Sequence, residues 1–334
     1  MKSTVLPLLS AALLAMACEN EMDFKGDERT PKMYVNTILG PEAEERFIEV
    51  SESVFLFGNR KPQPVNNAAF KVWRNGAEVP VKHTTAEDSG HTLYTFSSPL
   101  SAGDKLELSG ESPLHGAIAG SDVMPEPARI KEVKTEWFTG KEKRWPYEKE
   151  KSYLRTLVTL ADKPEEKNYY RIIVRSETDY TYSYQKWDET VVTGESEYRQ
   201  THEVYVDREV LFNNNVGNVL AGDEEDARMY RIFSDELFAG REYTLNVYVQ
   251  LDRTLEEWGN SGYTYEVTGQ RVTIEILTLS ENLFRHLRSV ELAYIENNFS
   301  EPVKIYTNIT GGYGIFGMYN VAEKRVEVPP FSGR

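Results

Sequence analysis

From Lys32 onward, apolar and polar residues alternate in short runs, and a period of two belongs to half-buried strands. The runs 33–39, 47–57, 69–74, 78–82, 92–96 and 105–109 are parted by turn residues at regular spacing, which predicts a sandwich. The clearest local signal is Phe70-Lys71-Val72-Trp73-Arg74, then Asn75-Gly76, then Ala77-Glu78-Val79-Pro80-Val81. Asn-Gly suits a type I′ turn, in which both central residues need positive φ, so the flanks are expected to form a hairpin.

The alternation stops at Met124-Pro125-Glu126-Pro127, where two prolines favour an extended connector with few hydrogen bonds. This places a boundary between a first domain over 32–124 and a second over 128–334. Strands are expected over 128–138, 153–160, 169–175 with continuation through Tyr184, then 230–233, 242–251, 263–267 and 271–277. Ser280 reads as an N-cap. Leu283, Leu287, Val290 and Tyr294 then fall on one stripe of a helix, with Arg285, Arg288 and Glu291 pointing elsewhere and His286 on the surface, until Asn297, Asn298 and Pro302 end it. Two last strands are expected near 303–309 and 318–328. The fold class is mainly all-β: an immunoglobulin-like sandwich, then a larger C-terminal β-sandwich or barrel with one packed helix near 280–296. Twenty Tyr, 14 Phe and 5 Trp fit that class, because aromatic side chains favour strands.

The first two dozen residues follow a different rule. Lys2 precedes an apolar run from Val5 to Ala17, and Ala15-Met16-Ala17 leads directly to Cys18. That is the plan of a lipoprotein signal peptide over 1–17, although Met16 departs from the small residues usual there. A spanning helix needs about 20 apolar residues, and this run is shorter and holds Pro7. Cys18 is the only cysteine, so no internal disulfide exists, and a thiol at that point is expected to carry diacylglycerol. Each buried CH2 of such a lipid adds about 0.8 kcal/mol, so several chains anchor stably. Residues 18–31, with Glu19, Glu21, Asp23, Asp27 and Glu28, read as an acidic tether; acids just behind the cysteine resemble the surface-export signals of some bacterial lipoproteins.

Charge narrows the partners. The formal net charge is −15, and loss of the leader, whose one charged residue is Lys2, leaves the chain more acidic still. Such a surface repels phosphate backbones and anionic headgroups, which excludes nucleic acid and a protein body lying flat on the membrane. The lipid on Cys18 is then the membrane contact, at the outer membrane and facing the exterior.

Candidate chemistry is sparse. Gly312-Tyr313-Gly314-Ile315-Phe316-Gly317 matches G-x-G-x-x-G, but a dinucleotide site needs a helix next and an acid about 20 residues on, whereas Met318–Val321 reads as strand. A tight turn of close backbone approach, with Ile315 and Phe316 inside, is the expectation. No Gly-x-Ser-x-Gly elbow exists, and His83, His91, His115, His202 and His286 have no metal-binding spacing, so neither a catalytic set nor a cofactor or metal is expected. The loop 213–226, with Asn213, Asn214, Asn215, Asn218, Asp223, Glu224, Glu225 and Asp226, offers oxygen ligands for Ca2+ without the EF-hand spacing; solvated charge is the other reading. Tyr180, Tyr182 and Tyr184 share one face, either a sugar or peptide platform or a half-buried sheet face. Trp137, Trp145 and Trp187 pose the same choice.

The leader with Cys18, Tyr34-Val35-Asn36, Met124-Pro125-Glu126-Pro127, Asn168-Tyr169-Tyr170-Arg171, Phe233-Ser234-Asp235, Asn298-Phe299-Ser300-Glu301-Pro302 and Thr307-Asn308-Ile309 occur in an order that resembles the domain of unknown function 4249 family of bacterial lipoproteins. The likeness covers nearly the whole mature chain. It implies an outer-membrane lipoprotein without assigned activity, of a kind often encoded beside TonB-dependent transporters, and it assigns a role to Cys18 alone. The function expected is a lipid-anchored binding or accessory protein for nutrient uptake that works with a TonB-dependent barrel; the alternative is a structural or adhesive surface lipoprotein. An enzyme is not expected.

Overall fold

The computed structural model describes residues 30–53, 63–85, 92–144, 147–164, 166–206, 209–213, 230–251, 263–295 and 303–329. The chain is mainly β, with 63% strand and 7% helix, so sheets rather than helices must supply the cores. In order the elements are β1 (Met33–Leu39), β2 (Glu45–Glu52), β3 (Ala69–Arg74), β4 (Ala77–Val79), β5 (Val81–Thr85), β6 (Thr92–Ser97), β7 (Lys105–Ser112), β8 (Gly116–Val123), β9 (Arg129–Arg144), β10 (Tyr147–Ala161), β11 (Tyr169–Gln185), β12 (Val191–His202), β13 (Val204–Tyr205), α1 (Val210–Asn213), β14 (Ile232–Ser234), β15 (Glu242–Val249), β16 (Tyr263–Leu279), α2 (Glu281–Ile295) and β17 (Tyr313–Glu327).

Local rules account for much of this. Asn75 and Gly76 have φ of 51° and 81°, the type I′ pair, and Val72 faces Val79 across the turn. Where one run was expected over 78–82, Pro80 separates β4 from β5, and the chain there leaves one sheet for another. The expected runs 263–267 and 271–277 are one strand, β16, with a bulge: Asp179 pairs with Gly269 and Tyr180 with Val267, leaving Thr268 over.

Three sheets form. The largest, of nine strands, runs β12-β11-β16-β17-β1-β2-β6-β5, with β14 beside β11. Strands from both sides of the Pro125–Pro127 connector share it, because the last strand, β17, lies parallel to β1 (Tyr34 opposite Tyr313, Ile38 opposite Gly317) and antiparallel to β16. The two smaller sheets are β13-β15-β10-β9 and β4-β3-β7-β8.

Each smaller sheet encloses its own core with the large one. Ile172, Val174, Val272, Ile274 and Ile276 of the large sheet meet Leu154, Val158, Leu245 and Val247 of the first small sheet. Met33, Val35, Ile48, Val50, Phe316 and Met318 meet Phe70, Val72, Leu106, Leu108 and Ile118 of the second. A side chain of this size contributes about 1.5–3 kcal/mol when fully buried, which makes these two layers the main store of stability.

The opposite face of the large sheet is covered differently. There α2 packs Leu283 and Leu287 on Leu277, Leu279 and Ile315. Ser280 caps the helix as expected, its Oγ accepting the Leu283 N–H at 3.1 Å. Two other expectations about the helix fail. Tyr294 is 65% exposed, so the stripe stops contacting the sheet at Val290, while His286 and Glu291 are buried. His286 is covered by the segment 303–309, which forms no strand: it is held against the helix by side-chain bonds, with Tyr306 N–H donating to Ser289 Oγ (2.8 Å) and His286 Nδ1 bonded to Tyr306 O (2.7 Å), while Glu291 is turned to Tyr230.

Candidate functional site

The face that α2 only partly covers is a groove. Its floor comes from alternate residues of four neighbouring strands: Arg171, Ile173 and Arg175 of β11, Glu275, Leu277 and Leu279 of β16, Tyr319, Val321 and Glu323 of β17, and Tyr34, Asn36 and Ile38 of β1. Strand parity puts these side chains on one face, while Ile172, Val174, Ile274 and Ile276 point to the core. Leu283, Leu287 and Val290 of α2 form one wall, Tyr230 closes the rim, and the cavity holds about 840 Å³. That volume falls in the range of small-ligand sites, about 300–1,000 Å³.

The glycine motif builds this wall. Tyr313 begins β17, so the segment is a strand where a tight turn was expected, and the strand that follows leaves no helix N-terminus for a pyrophosphate. Ile315 and Phe316 are both fully buried, as the sequence indicated. Gly314 has φ of 97°, and a Cβ there would lie 1.8 Å from Val35 O. At Gly317 a Cβ would stand 3.0 Å from Leu283 Cβ, so a bare α-carbon is what lets α2 sit close to the sheet.

Charge in the groove is unevenly paired. Arg175 Nη1 and Glu275 Oε1 lie 2.7 Å apart. Burial raises the pKa of Glu275; Arg175 opposes the rise, and Glu323, its direct neighbour across the strands, adds to it. Among the described residues Arg171 has no such partner. Its Nε is buried without a hydrogen bond among the described residues, and its guanidinium lies 5.5 Å from the ring centre of Tyr230. Burial lowers its pKa, against the pull of Tyr230, Glu291 and Tyr319, yet guanidinium stays charged at any ordinary pH.

Phenols surround that cation. Burial, then Glu49 and Tyr230, raise the pKa of Tyr34, and burial, then Glu42, raise that of Tyr319, so both remain neutral donors. Below Arg171, the Glu291 carboxylate accepts the Tyr230 N–H at 3.0 Å and lies 3.3 Å from Arg288 Nη1. Burial raises its pKa. His286 is held below its ordinary value by burial, opposed by its bond to Tyr306. Among the described residues the site therefore offers Arg171 as a cation outside any ion pair, neutral hydroxyls and an apolar wall.

The residues singled out from sequence mostly lie elsewhere. Cys18 and the leader fall outside the described residues, as do 214–226 of the acidic loop, Trp145 and His91. Tyr180, Tyr182 and Tyr184 form the half-buried sheet face: Tyr180 meets Tyr265 edge-on at 5.8 Å, and the ring of Tyr182 covers Gly194. Trp137 is half-buried and donates to Pro329 O at 2.7 Å, whereas Trp187 is fully exposed. His115 lies 2.8 Å from Glu52, and His202 is bonded to Ser176 at 2.6 Å. Among the described residues, no group of three His, Cys, Asp or Glu is arranged to hold a metal ion.

The groove itself went unread. One signal existed: Tyr169, Arg171, Ile173 and Arg175 share the parity opposite to the apolar Tyr170, Ile172 and Val174, so the second face of β11 alternates apolar residues with arginines.

A family model, the domain of unknown function DUF4249, matches residues 19–325. The chain belongs to the DUF4249 family. No curated protein matches it. Of the segments whose order resembles this family, two reach the groove, through Tyr34 and Asn36 and through Arg171. Asn168–Arg171 pairs with Phe233–Asp235, the Asn168 N–H donating to Asp235 Oδ2 at 2.7 Å. Asn308, away from the groove, pairs its side-chain amide with both backbone groups of Phe316, at 2.7 and 3.0 Å.

Proposed function

We propose that this DUF4249 protein is a lipid-anchored outer-membrane binding protein, accessory to nutrient uptake and working beside a TonB-dependent barrel, with the groove under α2 as its ligand seat. The observation that carries the reading is the leader: an apolar run ending in Ala-Met-Ala before the one cysteine, followed by a solvated acidic segment. The groove supports it by supplying a concave, mainly apolar site with a few convergent polar groups. The reading assigns the protein no catalysis, and it places the body outside the cell at the end of the tether.

Two measurements test it. Cells fed an alkyne-tagged fatty acid are expected to label the wild-type protein and not Cys18→Ser; equal labelling rules out this anchor. Affinity capture from native membranes in mild detergent is expected to recover a TonB-dependent barrel, and repeated capture without one removes the uptake role.

A further inference from the structure

The charges around the groove have a direction. At one side stands Arg171, with no acceptor for its Nε among the described residues. Across the sheet stand Glu323 and Glu42, neither of them in an ion pair among the described residues; Glu42 accepts one long bond of 3.4 Å from the Tyr319 hydroxyl and acts on Arg46 through space. Arg175 and Glu275 satisfy each other between them. Arg171 faces Leu277, while Glu323 faces Glu275, two residues along on the far side of β16. Two strand spacings and two residues of rise put their α-carbons about 12 Å apart. Side chains reaching inward shorten what a ligand must bridge, and an extended tripeptide spans about 10 Å. Between the poles the surface is apolar: Ile38, Leu277 and Val321 on the floor, Leu283 and Leu287 on the wall.

A ligand that fits carries a carboxylate at one end, a cation at the other and an apolar body between. A dianion such as a phosphate monoester meets one unpaired cation and three nearby carboxylates, so it is disfavoured. A neutral apolar molecule leaves the Arg171 fork unsatisfied, which costs affinity in a partly desolvated site.

We propose that the groove takes a short apolar peptide as its zwitterion, the terminal carboxylate on Arg171 and the terminal ammonium toward Glu323 and Glu42. The proposal rests on the groove being the ligand seat, as in the function given above.

Trileucine, trileucine amide and N-acetyltrileucine, titrated calorimetrically into the mature full-length chain in detergent micelles, provide the test. Trileucine is expected to bind saturably, and amidation or acetylation each to weaken it by about tenfold or more, as loss of a charge-assisted hydrogen bond does. Arg171→Gln is expected to erase the preference for acid over amide, and Glu323→Gln the preference for the free amine. Arg171→Lys, which keeps the charge and loses the fork, falls between. Melting curves establish that each variant is folded. No saturable heat with trileucine, equal binding of acid and amide, or a preference that survives Arg171→Gln overturns the proposal. A barrel recovered from membranes by a protein that ignores trileucine discards the ligand class alone; tight trileucine binding without a barrel discards the uptake partner alone.

Discussion

The two faces of β17 are made by one strand and differ in almost everything. Toward the small sheet it presents Phe316 and Met318, both fully buried. Toward α2 and the groove it presents Ile315, buried under the helix, and then Tyr319, Val321 and Glu323, from half-buried to exposed. A sheet laid on a sheet covers every position, so each must be apolar and close-fitting. A single helix covers a stripe, and the floor beside it is left to water or to a ligand. Charge is tolerated on that face because it can be solvated or paired, and Arg171 is where neither is complete.

If the contrast holds, substitutions on the two faces separate by size. Phe316→Ala empties a closed layer and is expected to cost about 3–5 kcal/mol in denaturant unfolding. Gly314→Ala places a Cβ against Val35 O at a positive φ and is expected to cost about 2–4 kcal/mol; a cost below 1 kcal/mol would show that β1 and β17 are less closely joined than described. Glu291 gives a pH signature under the helix. Burial raises its folded pKa above the ordinary 4.5, so its contribution is favourable below that value and is lost as pH rises through the folded pKa. Wild type is therefore expected to lose stability relative to Glu291→Gln on going from pH 4 to 7, and parallel melting curves at the two pH values would contradict it. Smallest of all, Trp187→Ala and Tyr294→Ala, on exposed side chains, are expected to stay within about 0.5 kcal/mol.

What could be read from the sequence was what is decided locally. Asn75-Gly76, the Ser280 cap and the long alternation of β11 each follow from a few adjacent residues. β8 escaped because Gly116-Ala117-Ile118-Ala119-Gly120 has little apolar bulk; space is short there, and a Cβ on Gly120 would come 2.8 Å from Ile309. β12 escaped because it is an edge strand with most positions exposed or half-exposed, so nothing enforces alternation. His286 was misplaced because a helical stripe counts apolar residues only, and its burial depends on Tyr306, twenty residues on. The site was hidden for a similar reason. Tyr34, Arg171, Tyr230 and Tyr319 come from four distant stretches, and only the pairing of β17 with β1 brings them to one face.

That pairing also sets the order of events when the chain folds. Among the described strands β1 is the first and its parallel neighbour the last, residue 34 lying opposite residue 313. Until β17 arrives, β1 and β16 both present unpaired edges, and loop closure on this scale is slow. The strand that joins the two halves of the central sheet is thus far from its neighbour along the chain, and until it docks the two open edges are where a partly folded chain is most prone to aggregate.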